Sequence, residues 1–278
     1  MITRRSFVLG ASATAALAAC SLGDKKSVST SESLIAFFDP NLAIVTGIPQ
    51  RLPLGYGNKD GIPNIGGPKS LTFSFSGPSS QKPITAQKTS EGLPRPIWVP
   101  VATFTKPGLY TVSATAEQGT IETSFTVVDP DKFPVPGIGG DMPKFDTPTI
   151  LNHRGVEPYC TKKVPCPLHL MTLTDGLNSG KPTAFLVSTP AHCKTATCGP
   201  TLDFLVAEND TYGDRINLIH AEVFKDEAAT EYADIITDLK LPFEPVLFCV
   251  DKWGKIIDRL DGVFGAEELR SALKNLAP

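Results

Sequence analysis

Two cysteines, Cys193 and Cys198, carry the most reactive chemistry this sequence can offer. They follow an apolar run, Thr183–Val187, and precede helix-like sequence, TLDFLVAEN. A thiol between a strand and a helix start faces free N–H groups and partial positive charge, which favour the thiolate. Cys193 would attack as thiolate and Cys198 would resolve the mixed disulfide. His192, if protonated, would lower the thiol pKa of its neighbour. A second pair, Cys160 and Cys166, lies in a proline-rich stretch and reads as a structural disulfide, with exchange against the first pair as the alternative. Cys249, flanked by Phe248 and Val250, reads as a small buried hydrophobe.

The sixth cysteine belongs to a leader. Thr3-Arg4-Arg5-Ser6-Phe7-Val8-Leu9 resembles the twin-arginine export signal, and Leu17-Ala18-Ala19-Cys20 fits the bacterial lipobox. The expectation is a signal peptide over residues 1–20, with Cys20 the lipidation site and the membrane lipid anchor. Two acyl chains suffice for stable anchoring. The protein would then sit on the extracytoplasmic face of the cell membrane, where disulfides persist. Residues 21–32 are polar and aperiodic and read as a flexible tether.

The 278 residues allow two domains of ordinary size. The formal charge of −3 and the lack of a basic stripe argue against nucleic-acid binding. Residues 33–129 look all-β, with short apolar or alternating runs at 34–38, 42–46, 71–75, 97–104, 110–114 and 121–128. Tyr110, after Pro107-Gly108 and just before the last strands, resembles the end of immunoglobulin-like β-sandwiches. Residues 130–149 hold five prolines and three glycines and read as a semi-rigid linker. Residues 150–180 bring the first cysteine pair and then a strand and short turn.

From 181 onward the expected order is β-α-β-α-β-β-α. Strand Thr183–Val187 leads through the cysteine loop to a helix over 200–209. A strand over 216–223 and a helix over 227–239 follow; Tyr232, Ile235, Ile236 and Leu239 recur there at helical spacing. Strand Val246–Val250, a turn at 251–254, a strand over 255–260 and helix Ala266–Leu276 complete the chain.

Residues 150–278 read as one domain with a cysteine-containing lead-in, and from about residue 170 onward it resembles the thioredoxin-like fold family. The match rests on Cys193 at the end of a strand, on Gly199-Pro200 in the first helix, and on the loop Leu241-Pro242-Phe243-Glu244-Pro245. The expected fold class is a two-domain protein: an N-terminal immunoglobulin-like sandwich, then an α/β domain with a central mixed sheet and flanking helices. The layout resembles secreted actinobacterial lipoproteins of that domain order. The resemblance implies that Pro245 is cis and lies beside the cysteines. It implies thiol–disulfide exchange, with extracytoplasmic protein thiols or disulfides as partners and with no cofactor.

The spacing departs from the family. Thioredoxins carry C-x-x-C, whereas this chain carries C-x-x-x-x-C with Ala196 where the second cysteine would fall. In a regular helix, residues five apart point about 140° from each other. Cys193 must therefore lie before the helix, or the helix must unwind for a disulfide to form. One class of peroxiredoxins has the same spacing, but it needs Thr or Ser where Pro190 stands. The main alternative to exchange is a redox-inert interaction lipoprotein with two stapling disulfides. Copper handling by His192, Cys193 and Cys198, with His220, His153 or His169 in reserve, is a lesser reading, as is a peroxidase. No metal is assigned among the site residues.

Overall fold

The computed structural model describes residues 32–41, 44–58, 60, 62, 66–116 and 119–277. The export signal and Cys20 lie outside the described residues, as does nearly all of the tether. Among the described residues no helix is long and apolar enough to cross a membrane.

The N-terminal part is β-rich. Its strands are β1 (Glu32–Ala36), β2 (Ile44–Val45), β3 (Pro49–Arg51), β4 (Leu54–Asn58), β5 (Ser70–Ser76), β6 (Ile84–Thr89), β7 (Ile97–Trp98), β8 (Val101–Thr103), β9 (Gly108–Ala116) and β10 (Gly119–Val128). Eight of them form one curled sheet in the order β1-β4-β7-β6-β5-β9-β10-β2, and β3 pairs with β8. The curl has a local cause. The first half of β6 pairs with β5, and its last residues, Lys88 and Thr89, pair with β7. Alternation sets the inside: Leu71, Phe73 and Phe75 of β5 point inward and the serines and Thr72 between them point out. Phe73, Trp98, Phe104, Tyr110 and Phe125 fill the core. The Tyr110 hydroxyl donates to the Lys106 carbonyl at 2.9 Å and accepts from the Ser79 N–H at 3.0 Å, so its polar end is satisfied inside.

The C-terminal part holds α1 (Leu173–Asn178), β11 (Thr183–Val187), α2 (Cys198–Ala207), α3 (Asn209–Tyr212), β12 (Asn217–Ala221), α4 (Asp234–Asp238), β13 (Val246–Val250), β14 (Ile256–Asp261) and α5 (Ala266–Leu276). Its sheet runs β12-β11-β13-β14, with β11 parallel to β12 and the other pairs antiparallel. Every residue of β11, β12 and β13 is buried, as expected of strands covered on both faces. Phe185, Val187, Phe248 and Val250 face one core with α1 and α4 residues; Ala184, Leu186, Leu247 and Cys249 face the other with α2 and α5.

Three expectations need correction. Leu173–Asn178 form a helix where a strand and short turn were expected. Thr172 accepts from the Asp175 N–H at 3.0 Å while Asp175 accepts from the Thr172 N–H at 3.1 Å, and this capping box starts α1. The helix expected over 227–239 shrinks to Asp234–Asp238. Asp226 accepts from the N–H groups of Ala228, Thr230 and Glu231, and its side chain thus holds a loop where a first helical turn would stand. Tyr232 then pairs as a bridge with Phe224 and is exposed. The cysteine-loop helix begins at Cys198, two residues before the expected start.

Residues 130–149 have little regular structure but are packed. Phe133, Val135 and Met142 enter the core on the α1 and α4 face. Arg259, paired with Asp261 at 2.8 Å, donates to the Pro136 carbonyl at 2.8 Å and lies over the Phe133 ring. The two parts are also joined through Arg51 of β3. Its guanidinium grips Glu268 with two 2.7 Å bonds and donates to the Val263 carbonyl at 2.7 Å and to the Asp261 carbonyl.

Candidate functional site

Cys193 stands in the loop after β11, and Cys198 is the first residue of α2. The loop closes as a tight turn: the Ala196 N–H donates to the Cys193 carbonyl at 3.1 Å, and Ala196 adopts φ 58°. This turn brings the half-buried Cys193 sulfur back to the helix start. There the Cys198 N–H donates to it at 3.3 Å and the Thr195 hydroxyl lies 3.2 Å away. Cys198 is fully buried, and its thiol donates to Glu244 Oε2 at 2.7 Å. Glu244 also accepts from the Thr189 N–H at 3.3 Å. The Glu244–Pro245 peptide bond is cis, and Pro245 is buried at the start of β13.

The electrostatics of the two thiols differ sharply. The Cys198 thiol beside Cys193, with the Thr195 hydroxyl and the N–H groups of Cys198 and Thr197, lowers the Cys193 thiol to about 5 against the opposing effect of burial. Burial, reinforced by the charge of Cys193 and Glu244, pushes the Cys198 thiol up. Burial and the nearby Cys193 charge likewise raise Glu244 to about 7. The result is an accessible nucleophile, a protonated partner and a carboxyl group that accepts or returns a proton near neutrality.

Glu244 was missing from the sequence-level site, although it stands directly before the proline singled out. Its place in the loop was the available signal. His192 does not join the thiols: its ring packs edge-on against Phe224, with centroids 5.8 Å apart. The converging group is Cys193, Cys198 and Glu244. Asp203 is exposed and paired with Lys162 at 2.6 Å.

A cleft of about 730 Å³ runs beside the thiols. The N-terminal part contributes Phe38 and Asp39, and the C-terminal part contributes His192, Phe224, Tyr232 and Phe243. The Phe224 and Tyr232 rings stack at 5.1 Å, giving the cleft an aromatic wall.

The other cysteine pair is buried next door. The Cys166 N–H donates to Cys160 Sγ at 3.4 Å. His220 Nδ1 lies 3.6 Å from Cys166 Sγ and 3.0 Å from His169 Nε2. The five described cysteines are free thiols in this structure.

No protein-family model matches this sequence, and no curated protein matches it. Solved structures match at a distance. The CARDB domain of a Pyrococcus furiosus protein, in complex with di-metal ions, is 14% identical over 36% of this chain and 89% of its own, with a TM-score of 0.22. The ZirS C-terminal domain is 13% identical over 44% of this chain and 86% of its own, with a TM-score of 0.23. These two are β-sandwich domains. A modular endo-β-1,4-mannanase from Cellulomonas fimi is 13% identical over 35% of this chain, with a TM-score of 0.23. This chain spans 18% of the mannanase and 19% of an engineered protein that also matches.

Proposed function

We propose that this protein carries out thiol–disulfide exchange through Cys193 and Cys198 outside the cytoplasmic membrane, held there by lipid on Cys20. A single observation carries the chemistry: the half-buried Cys193 sulfur accepts the Cys198 N–H at the start of α2, while the buried Cys198 thiol donates to Glu244 at 2.7 Å. The strand order, the cysteine in the loop after β11 and the cis proline before β13 support a thioredoxin-like C-terminal domain. The Tyr110-to-Lys106 hydrogen bond supports an immunoglobulin-like N-terminal domain. The lipobox and twin-arginine sequence support the location.

In the reductive direction, the Cys193 thiolate attacks a substrate disulfide. One S–S bond forms to Cys193, and one substrate sulfur leaves as thiolate. Glu244 takes the Cys198 proton, and the Cys198 thiolate attacks Cys193 Sγ. The second substrate sulfur leaves, both electrons have passed to the substrate, and the Cys193–Cys198 disulfide remains. Glu244 then returns its proton to solvent or to the departing thiolate. The aromatic cleft would hold an extended segment of the substrate protein, with the N-terminal part forming one wall.

Equilibration in glutathione buffers tests the reading. A Cys193–Cys198 potential of roughly −120 to −270 mV is expected. A value below about −300 mV, with Cys193 inert to alkylation in the reduced fold, would overturn it in favour of a stapled interaction module.

A further inference from the structure

The four side chains behind the exchange site converge in a way that a disulfide does not explain. Cys160, Cys166, His169 and His220 are each at least 94% buried, and their ligand atoms all lie within 4.8 Å of one another. They arrive from separate places: the cysteines and His169 from the lead-in, His220 from the central strand β12. We propose that these residues form a closed tetrahedral Cys₂His₂ zinc site that pins the lead-in to the sheet.

Tautomer logic supports this. His220 Nε2 lies 3.1 Å from the Ser188 carbonyl, which can only accept, and 3.1 Å from the Ser188 hydroxyl, which can turn to accept as well, so a hydrogen on Nε2 serves both. In the neutral ring Nδ1 is then a bare lone pair, and it points at Cys166 Sγ and His169 Nε2. A carbonyl behind the ring is the usual support of a metal-binding histidine, because it fixes the tautomer and orientation. The Cys160 sulfur also receives the Cys166 backbone N–H at 3.4 Å.

The distances fit as well. Zn–S of about 2.3 Å and Zn–N of about 2.0–2.1 Å give tetrahedral edges of roughly 3.5 Å for S···N and 3.3 Å for N···N. The structure has 3.6 Å and 3.0 Å for one edge of each kind, and the other edges lie within 4.8 Å. Two thiolates and a divalent ion also sum to zero charge, so burial leaves no net charge uncompensated. A Cys160–Cys166 disulfide would leave both imidazoles facing sulfurs that need nothing from them.

The test uses the full chain purified without chelator or added oxidant. One zinc per chain by elemental analysis is expected, together with two thiols at Cys160 and Cys166 that alkylate only after denaturation with a chelator. Cobalt(II) exchanged into the unmutated chain should show tetrahedral d–d bands and sulfur-to-metal charge transfer. His169→Gln and Cys166→Ser should lose the stoichiometric ion, whereas the chain with Cys193→Ser and Cys198→Ser should keep it. Mass-spectrometric detection of a Cys160–Cys166 disulfide, or a reduced chain that takes up no zinc or cobalt, overturns the proposal. So does copper(I) as the sole ion bound. The cobalt spectrum and the disulfide map need no variant to fold.

Discussion

At the scale of single residues, the two thiols sit in opposite environments, and pH separates them. With its thiol lowered to about 5, Cys193 should alkylate with a half-maximal rate near that pH instead of near the ordinary 9. Thr195→Ala should move the midpoint upward, and following adduct mass at Cys193 across pH checks both. In the proposed cycle Glu244 acts deprotonated, so resolution should accelerate as pH rises, with its midpoint at or below about 7. The midpoint can fall below that value because a Cys193 capped by substrate no longer carries the charge that helps raise Glu244. Glu244→Gln should remove the inflection and slow resolution by roughly 10²–10⁴-fold, visible as trapped mixed disulfide in a quenched time course. Attack by Cys193 should change far less. Cys193 and Cys198 stood out in the sequence because their type and spacing point to thiol chemistry. Glu244 did not, since an acid in a loop reads as solvated until the fold sets it against a thiol 46 residues away. His169 and His220 meet across 51 residues for the same reason.

At the scale of elements, the strands of the C-terminal sheet were readable because the central pair, β11 and β13, are nearly unbroken apolar runs buried on two faces. Their order follows from one parallel crossover and a closing hairpin. The helices were harder. The apolar spacing of Tyr232, Ile235, Ile236 and Leu239 is genuinely helical, yet the Asp226 carboxylate captures the N–H groups the first turn would have used. Asp226→Ala should loosen residues 226–232, with faster hydrogen exchange there and little change in β12. In α1 the signal was present, since Thr172 and Asp175 have capping-box spacing; the strand-like residues before it obscured it. Thr172→Ala should cost about 0.5–2 kcal/mol, measured by urea denaturation. The cysteine loop shows how the wide spacing is accommodated. The extra residues form a turn at Ala196 before the helix begins, and they do not unwind a helix already formed.

At the scale of the whole molecule, the two parts are clamped together at Arg51. Removing its guanidinium leaves the Asp261 and Val263 carbonyls and the Glu268 carboxylate short of a donor. Arg51→Ala should therefore destabilise the docking by on the order of 1.5–3 kcal/mol. Thermal unfolding should then separate into two transitions, and exchange with an extended peptide should weaken through KM as the cleft wall moves away. The sequence suggested two domains and a linker but did not reveal that Phe133 and Val135 of the linker are core residues. Long-range packing of that kind leaves no periodic trace in a proline-rich segment. One buried atom turns this cooperativity into something measurable. Cys249 lies wholly inside β13, at the centre of the C-terminal sheet, with its thiol raised by burial. A thiol reagent reaches it only when the sheet comes apart. The chain thus carries its own clock and its own reference: Cys193 reports each encounter at the surface, and Cys249 counts the rare moments when the entire domain opens.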